Sequence, residues 1–113
     1  MMDAALRAIS EPTRRKILRL VWDGERTAGD IASHFDVTRA AVSQHIKVLR
    51  EADLVTERRD GTRRLYRAKP ERIEEVRAWL DDYWTTGLER LKGAAEWDER
   101  GRKRRGRART PRG

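Results

Sequence analysis

The stretch that decides the fold runs from Thr27 to Val55, TAGDIASHFDVTRAAVSQHIKVLREADLV. It contains two helical patterns separated by the short turn Asp36-Val37-Thr38. Thr27 and Thr38 each stand before one of these patterns, where a threonine hydroxyl can accept a hydrogen bond from a free backbone amide. Two helices joined by so short a turn predict a helix-turn-helix, whose second helix runs from Arg39 to Ala52.

The second helix has two chemically different faces. At about 100° per residue, Val42, Ile46 and Leu49 fall within about 60° of one another and form an apolar stripe that can anchor the helix. Small, amide-bearing and basic residues lie at its start and on the opposite face, and we expect them to contact DNA: Thr38, Arg39, Ala40, Ser43, Gln44 and Lys47. Glutamine can pair with adenine, and alanine can touch a thymine methyl group. The alternative is an ordinary amphipathic helix with a solvated polar face. His45, beside the stripe, is expected to be half buried against the following hairpin; the alternative is a contact with phosphate.

The residues after this helix change to a strand pattern. Leu54–Arg59 and Thr62–Ala68 flank Asp60-Gly61, a strong hairpin-turn signal. A two-stranded hairpin at this place is the wing of a winged helix. Four basic residues flank the turn: Arg58, Arg59, Arg63 and Arg64. Like charges this close repel one another unless an anion lies opposite, and the DNA backbone would supply one. The alternative is a solvated edge hairpin whose charges prevent aggregation.

Further helices are predicted on both sides of this region. Asp3–Ile9 forms one short helical pattern and Pro12–Trp22 a second, with Ser10 as the candidate cap between them. From Pro70, apolar residues recur every three or four positions until about Gly93, which predicts a long helix that ends there or extends through Ala94 to Trp97. We expect its aromatic residues to form the core of a dimer interface rather than a ligand pocket.

Composition and charge divide the chain into a body and a tail. Of the net charge of +8 over 113 residues, seven positive charges follow position 100 without an acidic residue, which leaves +1 for residues 1–100. We expect one domain over residues 1–100 and a disordered basic tail over residues 101–113. The tail is either an additional electrostatic grip on DNA or a solubilising end.

Other protein classes do not match the composition. The absence of cysteine excludes disulfides and thiolate sites. No apolar run approaches the roughly 20 residues of a membrane span, and the N-terminus lacks a signal-peptide pattern, so we expect a cytoplasmic protein without membrane contact. No nucleophile–base pair and no phosphate-binding glycine loop are present, so we do not expect an enzyme.

The chain resembles the ArsR/SmtB family of regulators. The resemblance rests on Val42-Ser43-Gln44-His45-Ile46 with Leu49, on the wing, and on residues 6–14, LRAISEPTR. It covers roughly residues 4 to 92 and implies a transcriptional repressor that dimerises through its first and last helices. The expected dimerisation residues are Leu6, Ile9, Trp79, Tyr83, Trp84, Leu88 and Leu91.

The metal sites of the family do not carry over to this sequence. Well-known members bind metals through cysteines at the start of the first helix of the helix-turn-helix, where this chain has Thr27–Ile31. Others pair aspartate with histidine across the C-terminal helices, where this chain has Asp81-Asp82 and no histidine after His45. Zinc and similar ions prefer histidine or cysteine ligands, so we expect no metal and no cofactor.

Together these features predict a mostly α-helical winged helix-turn-helix with a two-stranded β wing. The expected function is sequence-specific binding of double-stranded DNA by a homodimeric transcriptional regulator. It would act as a repressor at an inverted-repeat operator, including its own promoter. Two alternatives share this fold: a winged-helix module for protein contacts, and a metal sensor that uses carboxylates.

Overall fold

The computed structural model describes the backbone of residues 2–104 and the side chains of residues 2–94. The elements follow in the order α1 (Met2–Ile9), α2 (Pro12–Leu20), β1 (Arg26–Thr27), α3 (Ala28–Ala32), α4 (Arg39–Glu51), β2 (Val55–Asp60), β3 (Arg63–Ala68) and α5 (Pro70–Arg104). The chain divides into two compact units between Arg77 and Ala78. Within the described part of the chain, none of the helices is both long and apolar enough to cross a membrane.

The first unit is built around one apolar core. Its largest fully buried side chains come from both the helices and the connections: Ile17, Val21, Ile31, Val42, Leu49 and Leu54. The predicted stripe of α4 is confirmed, because Val42 and Leu49 are 0% exposed and Ile46 is 2% exposed. Burial of each such side chain contributes about 1.5–3 kcal/mol, so α4 is held firmly by one face.

The cap of α2 differs from the prediction. Glu11, not Ser10, is the N-cap residue, and its carboxylate accepts a hydrogen bond from the Arg14 amide at 2.9 Å. The Ser10 hydroxyl donates instead to the Arg7 carbonyl at 2.6 Å, at the C-terminal end of α1. The hydrogen bond from the Arg14 amide is the largest influence on the Glu11 carboxyl and lowers its pKa. The serine therefore completes the preceding helix while the glutamate begins the next.

Arg14 connects α1, α2 and α4. Its Nε donates to the Ala8 carbonyl at 2.6 Å, and its Nη1 lies 3.4 Å from Nδ1 of His45 on α4. His45 Nδ1 is also 3.9 Å from the Glu11 carboxylate. The prediction that His45 packs against the wing is therefore wrong. His45 is half buried, as predicted, but on the side of α4 that faces α2, where polar groups of the α1–α2 junction are available to it.

The sheet has three strands rather than the two predicted. All pairs are antiparallel, and the order is β1-β3-β2. The additional strand β1 is only two residues long, with Arg26 opposite Tyr66 and Thr27 opposite Leu65. Two residues are too few to produce the alternating pattern by which a strand is recognised in a sequence.

The hairpin turn is shifted by one residue from the predicted Asp60-Gly61. Asp60 pairs with Arg63, so the loop consists of Gly61 and Thr62. Gly61 has a φ of 65°, which glycine adopts readily because it has no Cβ. A left-handed residue at the first loop position matches a type II′ turn, which suits the twist of a hairpin.

The C-terminal end of α4 is closed by a Schellman motif. Asp53 has a φ of 63°, and its amide donates to the Arg50 carbonyl at 2.9 Å. The Leu54 amide donates to the Leu49 carbonyl at 3.0 Å, and both leucine side chains are fully buried. These contacts satisfy the last carbonyls of the helix and direct the chain into β2.

The second unit contains the continuation of α5. The helix extends to Arg104, past both predicted ends, Trp97 and Gly93. Strong helix formers such as Ala94 and Ala95 follow that glycine, and a single glycine within a helix costs only about 1 kcal/mol. The first four residues of the segment predicted to be disordered therefore belong to α5, and residues 105–113 of the predicted tail lie outside the described residues.

Candidate DNA-binding surface

The exposed face of α4 carries the residues predicted to read DNA. Thr38 is the N-cap, and its hydroxyl accepts a hydrogen bond from the Ala41 amide at 3.0 Å, as predicted. Every predicted contact residue of this helix is exposed: Thr38, Arg39, Ala40, Ser43, Gln44 and Lys47. Since the buried stripe holds the opposite side of the helix, these side chains are available to a partner.

Arg39 lies against the first turn of α3. A Cβ placed on Gly29 would be 3.6 Å from Cζ of Arg39, so the guanidinium packs on the glycine backbone. A methyl group there would make ordinary van der Waals contact, but a larger side chain would displace the guanidinium. Gly29 thus leaves room for the Arg39 guanidinium beside the exposed face of α4. This role of Gly29 was not predicted from the sequence.

An open groove of ≈ 610 Å³ lies between α3, α4 and β3. Four of the predicted DNA-binding residues line it together: Arg39, Ser43, Arg63 and Arg64. Its lining also includes Thr62 and Tyr66, which sequence reasoning missed as site residues, and the carboxylate of Asp30. Asp30 forms an ion pair with Arg26 at 2.7 Å, which partly offsets its negative charge. The groove therefore presents a predominantly positive surface next to the reading face.

Arg58 is paired with a carboxylate that lies outside the hairpin. Its Nε and Nη2 each donate to the Glu25 carboxylate at 2.8 Å. This bond lowers the pKa of Glu25 and raises that of Arg58. Arg58 pairs with Leu65 in the sheet whereas Arg59 pairs with Arg64, so Arg58 and Arg59 lie on opposite faces of the hairpin.

Arg59 and Arg64 stand directly opposite each other on neighbouring strands. Like charges in such a pair repel and destabilise a hairpin. Within the described part of the chain, neither side chain forms an ion pair, whereas Arg63 contacts Asp60 at 3.3 Å. The pair Arg59–Arg64 therefore has unneutralised positive charge that an external anion would stabilise.

Tyr66 and Glu57 of the wing form a network with Arg50 of α4. Burial raises the pKa of the Tyr66 phenol, and a hydrogen bond to Glu57 raises it further. Glu57 also accepts a hydrogen bond from Arg50 of α4 at 2.7 Å. The phenol is therefore protonated at neutral pH, and this small network fixes the hairpin against the helix.

The predicted dimerisation residues fall into two groups. On α5, an apolar stripe consists of residues that are each 39–66% exposed: Trp79, Leu80, Tyr83, Trp84, Leu88 and Leu91. The rings of Trp79 and Tyr83 stack with their centroids 5.3 Å apart. Leu80 belongs to the predicted apolar repeat of this helix but was not among the predicted dimerisation residues. On α1, Leu6 and Ile9 are partly buried, and Ile9 packs against the core of the first unit.

A metal site needs several ligating side chains close together. Among residues 2–94, no group of three or more histidine, aspartate and glutamate side chains is placed to hold a metal ion. The absence of a metal and of a cofactor stays a prediction.

Comparisons with known proteins agree with this architecture. The family model described as bacterial regulatory protein, arsR family, matches residues 11–57. The HTH-type transcriptional regulator Rv2034 of Mycobacterium tuberculosis is 42% identical over 86 residues, 76% of this chain and 80% of that protein. The transcriptional repressor SdpR of Bacillus subtilis is 35% identical over 86 residues, 76% of this chain and 96% of that protein.

A solved structure supports the same assignment. The crystal structure of a protein described as a possible transcriptional regulator for arsenical resistance is 44% identical, with a TM-score of 0.68. The match covers 79% of this chain and 93% of that one. The exposed face of α4, the wing and these relatives lead to one conclusion: the chain belongs to the ArsR family of bacterial regulatory proteins and is a DNA-binding transcriptional regulator.

Proposed function

We propose that two copies of this chain bind an inverted-repeat operator in double-stranded DNA and repress transcription there, including transcription from the chain's own promoter. The observation that carries this proposal is the combination of a buried and an exposed face on α4, with a basic groove beside the exposed one. The regulator acts by binding and not by catalysis. A protein-contact module would favour an acidic or apolar reading face, whereas this face is polar and basic.

In this proposal the exposed residues of α4 have two roles. Ser43 and Gln44 contact base edges in the major groove, where an amide can recognise adenine through two hydrogen bonds. Thr38, Arg39 and Lys47 hold the phosphate backbone or assist the reading of bases. Ala40 contributes apolar contact, which suits a thymine methyl group.

The wing extends the contact along the backbone. Arg39 of α4 and Arg64 of β3 line the same groove, so one stretch of phosphates can engage both elements. Arg59 and Arg63 at the end of the hairpin add positive charge on the flank. The unneutralised pair Arg59–Arg64 gains most from an anion, since the repulsion between its members is then removed.

Dimerisation uses the α5 apolar stripe, with Leu6 and Ile9 of α1 as additional contacts. Large apolar side chains exposed in a continuous row indicate an interface. Residues 1–100 would act as one DNA-binding and dimerisation domain. In the dimer, two copies of α4 enter successive major grooves, so the half-sites lie about 10 base pairs apart.

Selection of bound fragments from the parent genome with purified protein tests the proposal. We expect enrichment of one inverted repeat, including a copy near the gene for this chain. Binding without sequence preference, or no binding, would contradict it.

The variant Gln44→Ala then tests the reading face on the selected fragment. We expect it to lose about 1–3 kcal/mol of discrimination at one base pair, with unchanged affinity for a random-sequence duplex. His34→Ala, an exposed position outside this face, is the matched control. Equal affinity and selectivity of Gln44→Ala and the parent would show that Gln44 does not read bases.

A further inference from the structure

We infer that Glu25 and Arg58 form a positioning pair that fixes the direction of the wing, and that Arg58 does not contact DNA. The wing arginines thus divide into two classes: Arg59, Arg63 and Arg64 add charge to the contact with DNA, and Arg58 acts through the position of the hairpin. This inference rests on the proposed function for the contact of the wing with DNA.

Two hydrogen bonds connect the side chains of this pair. Two nitrogens of the Arg58 guanidinium reach two oxygens of the Glu25 carboxylate, each at 2.8 Å. Such a bidentate pair fixes orientation as well as distance. The partners are 33 positions apart in the sequence, so the pair connects separate parts of the fold.

The position of the pair in the sheet shows which strands it connects. Glu25 immediately precedes β1, Arg58 belongs to β2, and β3 lies between those strands. The pair therefore bridges the two outer strands across the central one. Strand β1 contributes only two paired residues, so few backbone hydrogen bonds connect it to the hairpin. A side-chain bridge at this point adds a second connection between the hairpin and β1.

The carboxylate bound to Arg58 makes this arginine a poor partner for a phosphate. A phosphate that approached its guanidinium would meet the carboxylate already bound there. Arg67 also lies close enough to lower the pKa of Glu25. On this face of the sheet, the Glu25 carboxylate therefore interacts with two cations, Arg58 and Arg67. Arg59 and Arg64 lie on the other face, and among the described side chains no carboxylate forms an ion pair with either of them. The positive charge that no described carboxylate pairs with is therefore on the face that carries Arg59 and Arg64.

The test compares variants in salt titrations of binding to a fluorescein-labelled duplex of the selected fragment and to a random-sequence duplex. Each contact with a phosphate of B-DNA contributes about 0.9 to the slope of log K against log salt concentration. We expect Arg64→Ala to reduce that slope by about this amount, and Arg58→Ala to weaken binding with the slope unchanged. Glu25→Gln should also weaken binding, and Arg58→Ala with Glu25→Gln should be no worse than either change alone.

Two further variants make the test decisive. The charge-exchanged protein Glu25→Arg with Arg58→Glu can rebuild the pair in reverse, so we expect it to recover most of the affinity lost by Arg58→Glu alone. Asp23→Asn, two residues before Glu25, is the control for removing one exposed negative charge from the same connection. It should not weaken binding.

Hydrogen exchange of the wing amides in the free protein separates this inference from the proposed function. We expect Glu25→Gln, but not Asp23→Asn, to speed exchange between Arg59 and Arg64. Unchanged exchange would overturn the inference even if no duplex bound. A reduced salt slope for Arg58→Ala, tighter binding by Glu25→Gln, or no rescue by charge exchange would overturn it while the parent still binds DNA. Failure of the parent to bind either duplex would instead overturn the proposed function.

Discussion

Among single residues, Asp53 combines an unfavourable backbone conformation with a favourable ion pair. Its φ of 63° is uncommon for residues other than glycine, although aspartate and asparagine tolerate it better than most. Its carboxylate accepts hydrogen bonds from Lys69 Nζ at 2.9 and 3.1 Å. This bond holds the pKa of Asp53 below its ordinary value of 3.8 and raises that of Lys69. The residue therefore joins the end of α4 to the segment before α5.

The lowered pKa of Asp53 predicts how stability depends on pH. A carboxyl whose pKa is lower in the folded chain than in the unfolded chain stabilises the fold above the unfolded pKa. That contribution is lost as the pH falls through the folded pKa. We therefore expect Asp53→Asn, which keeps the backbone preference, to be less stable than the parent at neutral pH and equally stable in strong acid.

Urea denaturation at a series of pH values measures this difference. Asp36→Asn, at another exposed position, is the control and should not show the same pH-dependent difference. A constant difference between Asp53→Asn and the parent at every pH would contradict an electrostatic role for the Asp53–Lys69 pair.

At the scale of elements, α4 depends on its N-cap as well as on its buried stripe. The Thr38 hydroxyl binds the Ala41 amide, one of the amides that have no partner within the helix. Thr38→Ala should lower the free energy of unfolding by about 1 kcal/mol because that amide loses its acceptor. Thr38→Ser should retain most of the stability because serine supplies the same hydroxyl.

Thermal and urea denaturation measure the effect of these caps. DNA binding by Thr38→Ala should weaken as well, since the first turn of α4 then frays near Arg39. If Thr38→Ala and Thr38→Ser are equally stable, the hydroxyl does not cap the helix in solution.

At the scale of the whole molecule, the proposed dimer depends on the α5 apolar stripe. Trp84 and Leu88 are 65% and 47% exposed, so a charged group at either position would be tolerated in a monomer but not in an apolar interface. We expect Trp84→Glu and Leu88→Glu to shift the protein from dimer to monomer and to weaken operator binding strongly.

Sedimentation equilibrium measures the association state of these variants, and circular dichroism checks that they fold. Trp22→Glu is the matched control, because Trp22 is also large and 49% exposed but lies in the first unit. A folded Trp84→Glu variant that remains dimeric would place the interface elsewhere.

The basic tail gives a second prediction at this scale. Residues 105–113 carry four arginines and no acidic residue. If the tail grips DNA, removing these residues should reduce the slope of log K against log salt concentration by up to about 0.9 for each arginine that lies on a phosphate. An unchanged slope in a salt titration would indicate a solubilising end. Replacement of the four arginines by glutamine is the control for chain length.

Much of the fold follows from local patterns. Val42, Ile46 and Leu49 face the core because their spacing places them on one side of a helix, wherever that helix packs. Thr38 caps α4 because only short-range hydrogen bonding is involved. The hairpin is present for a similar reason, since a glycine-containing turn lies between two strand patterns. The family resemblance, carried by the same residues, is confirmed.

Other features depend on residues that are distant in the sequence, so local patterns could not reveal them. Strand β1 is two residues long and forms because the edge of β3 that faces it has backbone groups available for pairing. His45 contacts Arg14, and Arg58 contacts Glu25. These pairs could not be predicted because the partners are adjacent only after folding. The amino-acid types alone show which side chains are apolar, basic or able to cap a helix. Which charges form pairs, and which remain available to DNA, depends on distances across the folded chain, and no local pattern contains those distances.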